Sequence, residues 1–203
     1  MQKIGRTSII LLGILLMFSC KNDEQTKIYY YTRSCTYGDI NEYQAKRFRW
    51  LKDTVLMDIF VYREGKARLL GGGIYLQKDN SVYRFESKND HAGQCYFTLQ
   101  KDTCVDFNMS DPRLNSILRT RYCYIGAMDM NIDGEIQHVY KFERTMGTSE
   151  VVYNVYFSKD FIPLKEEYVS GVDLECDLEL IDSRKVPSDF KIQIENWKRK
   201  KHN

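Results

Sequence analysis

The chain is short of the residues that usually announce chemistry. It has three His in 203 residues, and no Cys-x-x-Cys, Cys-x-x-x-Cys or His-x-x-x-His spacing. A zinc site therefore has no support in the sequence. No Gly-x-Ser-x-Gly is present, and of the six Cys only Cys95 stands near a His, four residues beyond His91. Cys95 shares its alternating face with Phe97 and Leu99, so it reads as core and not as a nucleophile with a base. With three Pro, 13% aromatic residues and no low-complexity run, the chain is expected to be ordered away from its ends. No internal repeat and no Gly-, Pro- or Ser-rich linker divides it, so one domain is expected.

What is there begins at the N-terminus. Lys3 and Arg6 precede an uncharged apolar run from Ile9 to Phe18, followed by Ser19 and Cys20. This is the order of a secretory signal, and ten apolar residues fall short of the ~20 needed for a spanning helix. A Cys directly after the small residue resembles the lipobox of bacterial lipoproteins, which signal peptidase II cleaves. Met17 and Phe18 stand where that family usually has Leu and a small residue. The resemblance implies that residues 1–19 are removed, that Cys20 carries acyl chains, and that these chains anchor the protein to a membrane. Lys21-Asn22-Asp23-Glu24-Gln25 resembles the Lys-then-acidic export signal of Bacteroidota lipoproteins. It implies the outer membrane, on its periplasmic or surface face; a plain polar tether over 20–27 is the other reading.

Removing residues 1–19 takes away Lys3 and Arg6 and no acid, so the formal charge of +2 falls to 0. A neutral domain lacks the excess of cations that phosphate backbones require, which argues against nucleic acid as partner. The basic end Lys198-Arg199-Lys200-Lys201, within a tail of 198–203, reads as a solubilising terminus. Residues 28–197 are expected to form a single domain with a real core. Five Cys remain beside Cys20: Cys35, Cys95, Cys104, Cys123 and Cys176. Disulfides are permitted outside the cytoplasm, and an odd number leaves at least one thiol free.

The chain reads as antiparallel β structure. Ile136, His138, Tyr140 and Phe142 alternate with Glu135, Gln137, Val139 and Lys141. The sets Val151, Tyr153, Val155, Phe157 and Leu174, Cys176, Leu178, Leu180 alternate likewise, and Thr54–Tyr62, Ala67–Leu76 and Ser81–Ser87 add strands. Turns are expected at Glu64-Gly65, Lys78-Asp79-Asn80, Asp133-Gly134 and Met146-Gly147-Thr148-Ser149. Two segments look helical. Asp39 caps a run with Ile40, Tyr43, Phe48 and Leu51 on one side, and Asp111-Pro112 opens another with Leu114, Ile117 and Leu118. Phe190 to Lys200 fits either strand or helix. An early helix followed by a strand meander resembles the LolA and LolB lipoprotein carriers, whose fold is an open half-barrel over a helix. A closed barrel or a β-sandwich fits the same pattern.

Asp129-Met130-Asn131-Ile132-Asp133-Gly134-Glu135-Ile136 matches the first eight positions of a calcium-binding EF-hand loop. Its twelfth position, which should supply a bidentate Glu, is Tyr140, and its flanks are strand-like, so a hairpin turn without metal is expected. Gly71-Gly72-Gly73 lacks the Lys-Ser or Lys-Thr of a phosphate loop and reads as a bulge or bend. His138 is expected in the core. Tyr29-Tyr30-Tyr31 reads as strand, with a carbohydrate or partner surface as the alternative. Cys95 and Cys104 flank the turn Lys101-Asp102-Thr103. A register pairing Phe97 with Phe107 keeps the two Cys unbonded, with Cys95, Cys123 and Cys176 as small buried hydrophobes. No catalytic residue, cofactor or metal is assigned. A non-catalytic binding or interaction lipoprotein of the cell envelope is expected first, then a carrier of lipid or another apolar ligand, then an envelope hydrolase.

Overall fold

The computed structural model describes residues 25–35, 42–52, 54–85, 93–111, 116–132, 134–147, 151–171 and 176–197. The protein is mainly β: one antiparallel sheet of twelve strands, curled into a nearly closed barrel, with one helix on its outside. The strands are β1 (Gln25–Cys35), β2 (Glu42–Leu51), β3 (Thr54–Arg63), β4 (Lys66–Lys78), β5 (Ser81–Phe85) and β6 (Gln94–Thr98), then β7 (Cys104–Asp111), β8 (Ser116–Ile132), β9 (Glu135–Met146), β10 (Val151–Ser158), β11 (Pro163–Ser170) and β12 (Cys176–Ile181). A single 3₁₀ turn, Ser183–Lys185, leads into helix α1 (Ser188–Glu195).

Strands β1 to β6 and β7 to β12 form two meanders, joined side by side where β1 pairs with β12. Edges β6 and β7 approach each other, with the Tyr96 and Phe107 rings 5.2 Å apart. Curling the sheet this way brings its exposed edges together and limits unpaired backbone. The hairpins turn where the sequence provides left-handed residues. At Glu64-Gly65 both φ angles are positive, +51° and +73°, as a two-residue turn matching strand twist requires. Asp79, Asp102 and Gly134 are also at positive φ in their turns.

Alternation along the strands sorts side chains between an inner and an outer face, and the cross-strand registers carry that sorting around the sheet. The inner face holds Val82, Phe97, Tyr122, Phe142, Val155 and Phe157, one packed cluster. On the outer face, Tyr30, Ala45 and Phe60 are covered by Phe190 and Ile194 of α1. Burying each of those two helix side chains contributes about 1.5–3 kcal/mol. Gln193 adds polar fastening, accepting the Ala67 N–H at 2.8 Å and donating to the Gly65 carbonyl at 3.0 Å.

Several sequence expectations are overturned. The segment expected as a helix around Tyr43, Phe48 and Leu51 is β2, paired with β1 on one side and β3 on the other. Both of its faces are partly buried and its inner face carries Glu42 and Lys46, which blurs the period-two signal. Ladder pairing on both sides then outweighs local helix propensity. Asp39 and Ile40 lie outside the described residues. Ile117 and Leu118, expected in a second helix, belong to β8, whereas Pro112 and Leu114 lie outside the described residues. The ambiguous segment from Phe190 is helical through Glu195. Strand β1 starts at Gln25, so Gln25–Lys27 pair with Trp50–Phe48 where a tether was expected to run to residue 27.

Cys123 and Cys176 are not free core residues. Cys104 is bonded to Cys123 and Cys35 to Cys176, each pair directly opposite in its antiparallel ladder, and Cys95 is free. Cys95 and Cys104 are unbonded to each other, as expected, but not because 97 pairs with 107. β7 takes β8 as its ladder partner, and β6 takes β5, with a register shift that sets Tyr83 against Cys95.

The candidate binding cavity

The barrel is unevenly filled. Inward-facing Tyr31, Val61, Val155 and Leu178 are buried, and Tyr31 donates its hydroxyl to the Pro163 carbonyl at 2.9 Å. Toward the end that carries the β2–β3, β4–β5 and β10–β11 turns, the interior instead opens into a cavity of about 660 Å³. Its wall combines Phe48, Trp50, Val55, Met57 and Ile59 from β2 and β3 with Phe97, Phe157 and Phe161 opposite. Its mouth carries Lys52, Asp79 and Asp160.

The glycines of β4 help make this space. Gly71 pairs with Ile59 and faces inward, and a Cβ there meets nothing within 4 Å. Gly73 lies beneath the Tyr75 ring, with a Cβ position 2.7 Å from it, so the ring can lie flat against the wall. At Gly72 a Cβ would stand 2.3 Å from the Met57 carbonyl oxygen, closer than any side chain allows. The expected bulge is there too, as a register shift that leaves Leu70 without an opposite residue on β3.

Polar groups converge on the same wall. Glu166 faces Lys46 at 3.7 Å and Arg144 at 2.9 Å. Burial alone would raise the pKa of Glu166, but the two cations outweigh it and hold the carboxyl below its ordinary value. Burial lowers the pKa of Lys46, opposed by Glu166. The Lys46 ammonium also lies 4.9 Å over the Tyr31 ring. Arg144 donates toward Tyr122, whose hydroxyl is 2.9 Å from that of Tyr96. The Tyr96 ring is 5.7 Å from the ring of Tyr75, and burial pushes the Tyr75 hydroxyl up to about 12, against the opposing pull of Arg84. Arg84 is the cross-strand partner of Tyr75 and stacks 5.2 Å over Phe107, and its buried Nε has no hydrogen-bond partner. Of these side chains only Tyr31, in the tyrosine run, and Phe107, in a strand register, were named from sequence; the charged groups and Tyr75, Tyr96 and Tyr122 were not singled out. The available signal was a charge on an otherwise apolar strand face, as with Arg144 two residues beyond Phe142.

Apart from the glycines of β4, Phe97 and Tyr31, the residues that were singled out lie elsewhere. Cys20, His91, the basic run 198–201 and His202 are outside the described residues. His138, expected in the core, is exposed and hydrogen-bonded through Nδ1 to Asp129 at 2.9 Å. At this end of β9 it is the opposite face that packs, with Val139 and Ile132 buried beside Tyr156 and Leu164, so the face of His138 lies open and Ile136 is 78% exposed. Within the calcium-like stretch, Asn131 accepts the Gly134 N–H at 2.9 Å across the hairpin turn. Tyr30 and Tyr31 are core residues on opposite faces of β1, in keeping with the strand reading. Cys95 is half-buried, and burial pushes its thiol pKa up, away from a reactive thiolate.

No family model matches the chain, nor does any curated protein or solved structure.

Proposed function

We propose that this chain is a lipid-anchored protein of the cell envelope that binds a small, largely apolar ligand in its barrel without transforming it. The observation that carries the reading is the 660 Å³ cavity, walled by aromatic and aliphatic side chains and open at one end. That volume falls within the range of small-molecule sites, as does a mostly apolar wall with a few convergent polar groups. Glu166, the carboxylate in the cavity wall, is held ionised by Arg144 and Lys46, which suits it to structure and binding more than to proton transfer.

Placement in the envelope is supported by the signal-like start, by Cys20 and by the two disulfides, which persist in oxidising compartments. Geometry adds a further link. Gln25 pairs with Trp50, which lines the cavity, so the chain enters the barrel at the open end. Four residues separate Cys20 from Gln25, and the five steps between them span at most about 18 Å. An acylated Cys20 would hold the mouth within that distance of the bilayer.

The test uses the full chain in lipid nanodiscs and the apolar fluorophore N-phenyl-1-naphthylamine, read by energy transfer from Trp50, with nanodiscs lacking protein subtracted. Saturable transfer is expected, and Gly71→Phe, which fills open space, should abolish it while leaving the melting temperature close to wild type. Transfer that Gly71→Phe leaves unchanged would sink the cavity reading. Detergent partition of Cys20→Ala tests the anchor separately: unchanged membrane association would refute it.

A further inference from the structure

We infer that the ligand is an amphiphilic anion whose acid group is held by Arg84 at the tyrosine-lined side of the cavity. This rests on the binding reading above and names the chemistry of what is bound.

The inner wall is unbalanced in both charge and hydrogen bonding. Among the described residues that line the cavity, Lys46, Arg84 and Arg144 face it with Glu166 as their one carboxylate in the wall, the remaining charges lying in the turns at the mouth. Glu166 is engaged by Lys46 and Arg144. Arg84 is in no ion pair among the described residues, and its buried Nε has no partner. Its contacts are the face of Phe107 and the neighbouring Tyr75. A guanidinium is a fork of five donors and no acceptors. The groups around it also bring hydroxyl donors: Tyr75, Tyr96 and Tyr122 form a chain that ends on Arg144. With burial holding Tyr75 and Tyr96 in the protonated form, their O–H groups remain available as donors.

A site rich in donors, carrying a cation with no ion pair among the described residues and walled by aromatics, is complementary to an anion with an apolar body. A neutral apolar ligand would leave the buried Arg84 Nε unmatched, a cost the anion removes. The volume suits one drug-sized body and not a two-chain phospholipid, which points to a free organic acid of the fatty-acid or aryl-acid kind.

The two probes 1-anilinonaphthalene-8-sulfonate and N-phenyl-1-naphthylamine differ by one sulfonate on the same aromatic body. Both are titrated into the full chain in nanodiscs, counting only energy transfer that Gly71→Phe removes. Tighter binding of the sulfonate is expected, with Arg84→Met weakening it about tenfold or more and changing the neutral probe less than about twofold. Arg84→Lys should recover part of the loss. Because Arg84 has no carboxylate partner among the described residues, Arg84→Met should melt no lower than wild type, which separates lost recognition from lost fold. Equal weakening of both probes, or none of either, overturns the anion site while leaving the cavity reading intact. Absence of Gly71-sensitive transfer with either probe overturns both.

Discussion

Strands β2 and β3 carry an Arg- or Lys-centred cluster on each of their faces, and the two clusters differ instructively. On the outer face Asp58, 1% exposed, receives Arg47 at 2.8 Å and Arg49 at 3.5 Å. Arg47 also stacks over Phe60 and donates to the Trp197 carbonyl just beyond α1. Gly72 brings the backbone of β4 directly against this cluster, so no space is left. On the inner face Lys46 leads through Glu166 and Arg144 to the tyrosines and to Arg84, which is in no ion pair among the described residues, beside open volume. Side-chain types alone do not tell the clusters apart. Whether space remains beside the donors does.

The largest effect that would break this contrast is at Asp58. Asp58→Ala should destabilise the fold by about 3–5 kcal/mol, because it strands two guanidinium groups under the helix end. Urea unfolding measures this, and a loss below about 1 kcal/mol would remove the outer cluster from any structural role. Removing the staple between the two meanders comes next. Cys35 and Cys176 close a loop of sequence separation 141, so the double Ser variant should lose about 2–4 kcal/mol, toward the upper end if loop entropy dominates. Peptide mapping without reduction should recover Cys35–Cys176 and Cys104–Cys123, with Cys95 alone open to alkylation.

The inner cluster makes a smaller, pH-dependent contribution. Glu166 has its pKa lowered in the fold, so its stabilisation is present above its ordinary value of 4.5 and is lost as pH falls through the lower folded value. Wild type should therefore lose stability below about pH 4.5 faster than Glu166→Gln does. Parallel pH profiles for the two would show that Arg144 and Lys46 do not hold the carboxylate in solution.

How much of this was legible in the sequence follows from what each residue type encodes. Alternation gave β9, β10 and β12 as strands, but at the tip of β9 the face it marked as apolar is the open one: His138 and Ile136 are exposed and Val139 is buried. The Glu64-Gly65 and Asp79-Asn80 turns follow from the need for positive φ. β2 was misread because its inner face carries Glu42 and Lys46, so the strand looks polar on both sides. Disulfide partners were illegible: Cys35 and Cys176 meet only because the two ends of the domain pair as β1 and β12. The cavity was illegible for the same reason. Arg84 and Arg144 belong to different meanders, and nothing local says that both face inward or that Gly71 leaves room between them.

The smallest effect concerns a third polar group, at the exposed tip of the β8–β9 hairpin, where the sequence resembles the start of a calcium loop. Two of the side-chain oxygens such a loop would use are engaged in hairpin contacts, and Asp133, at its fifth position, lies outside the described residues. Asp129 is bound to His138, and Asn131 accepts the Gly134 N–H. Tyr140, at the position where the loop needs a bidentate Glu, is turned inward and stacks on Phe161 with ring centroids 5.9 Å apart. Like Asp58 in the outer cluster, Asp129 and Asn131 are engaged by protein groups, although the tip lies in solvent. Millimolar Ca²⁺ should shift the melting temperature by less than about 2 °C relative to chelator. A site at a hundred times its Kd would add about 2.7 kcal/mol, which for a domain of this size is on the order of several degrees. A shift of that size, abolished by Asp129→Asn, would show that the hairpin contacts yield to metal and that engaged donors and acceptors do not mark a site as purely structural.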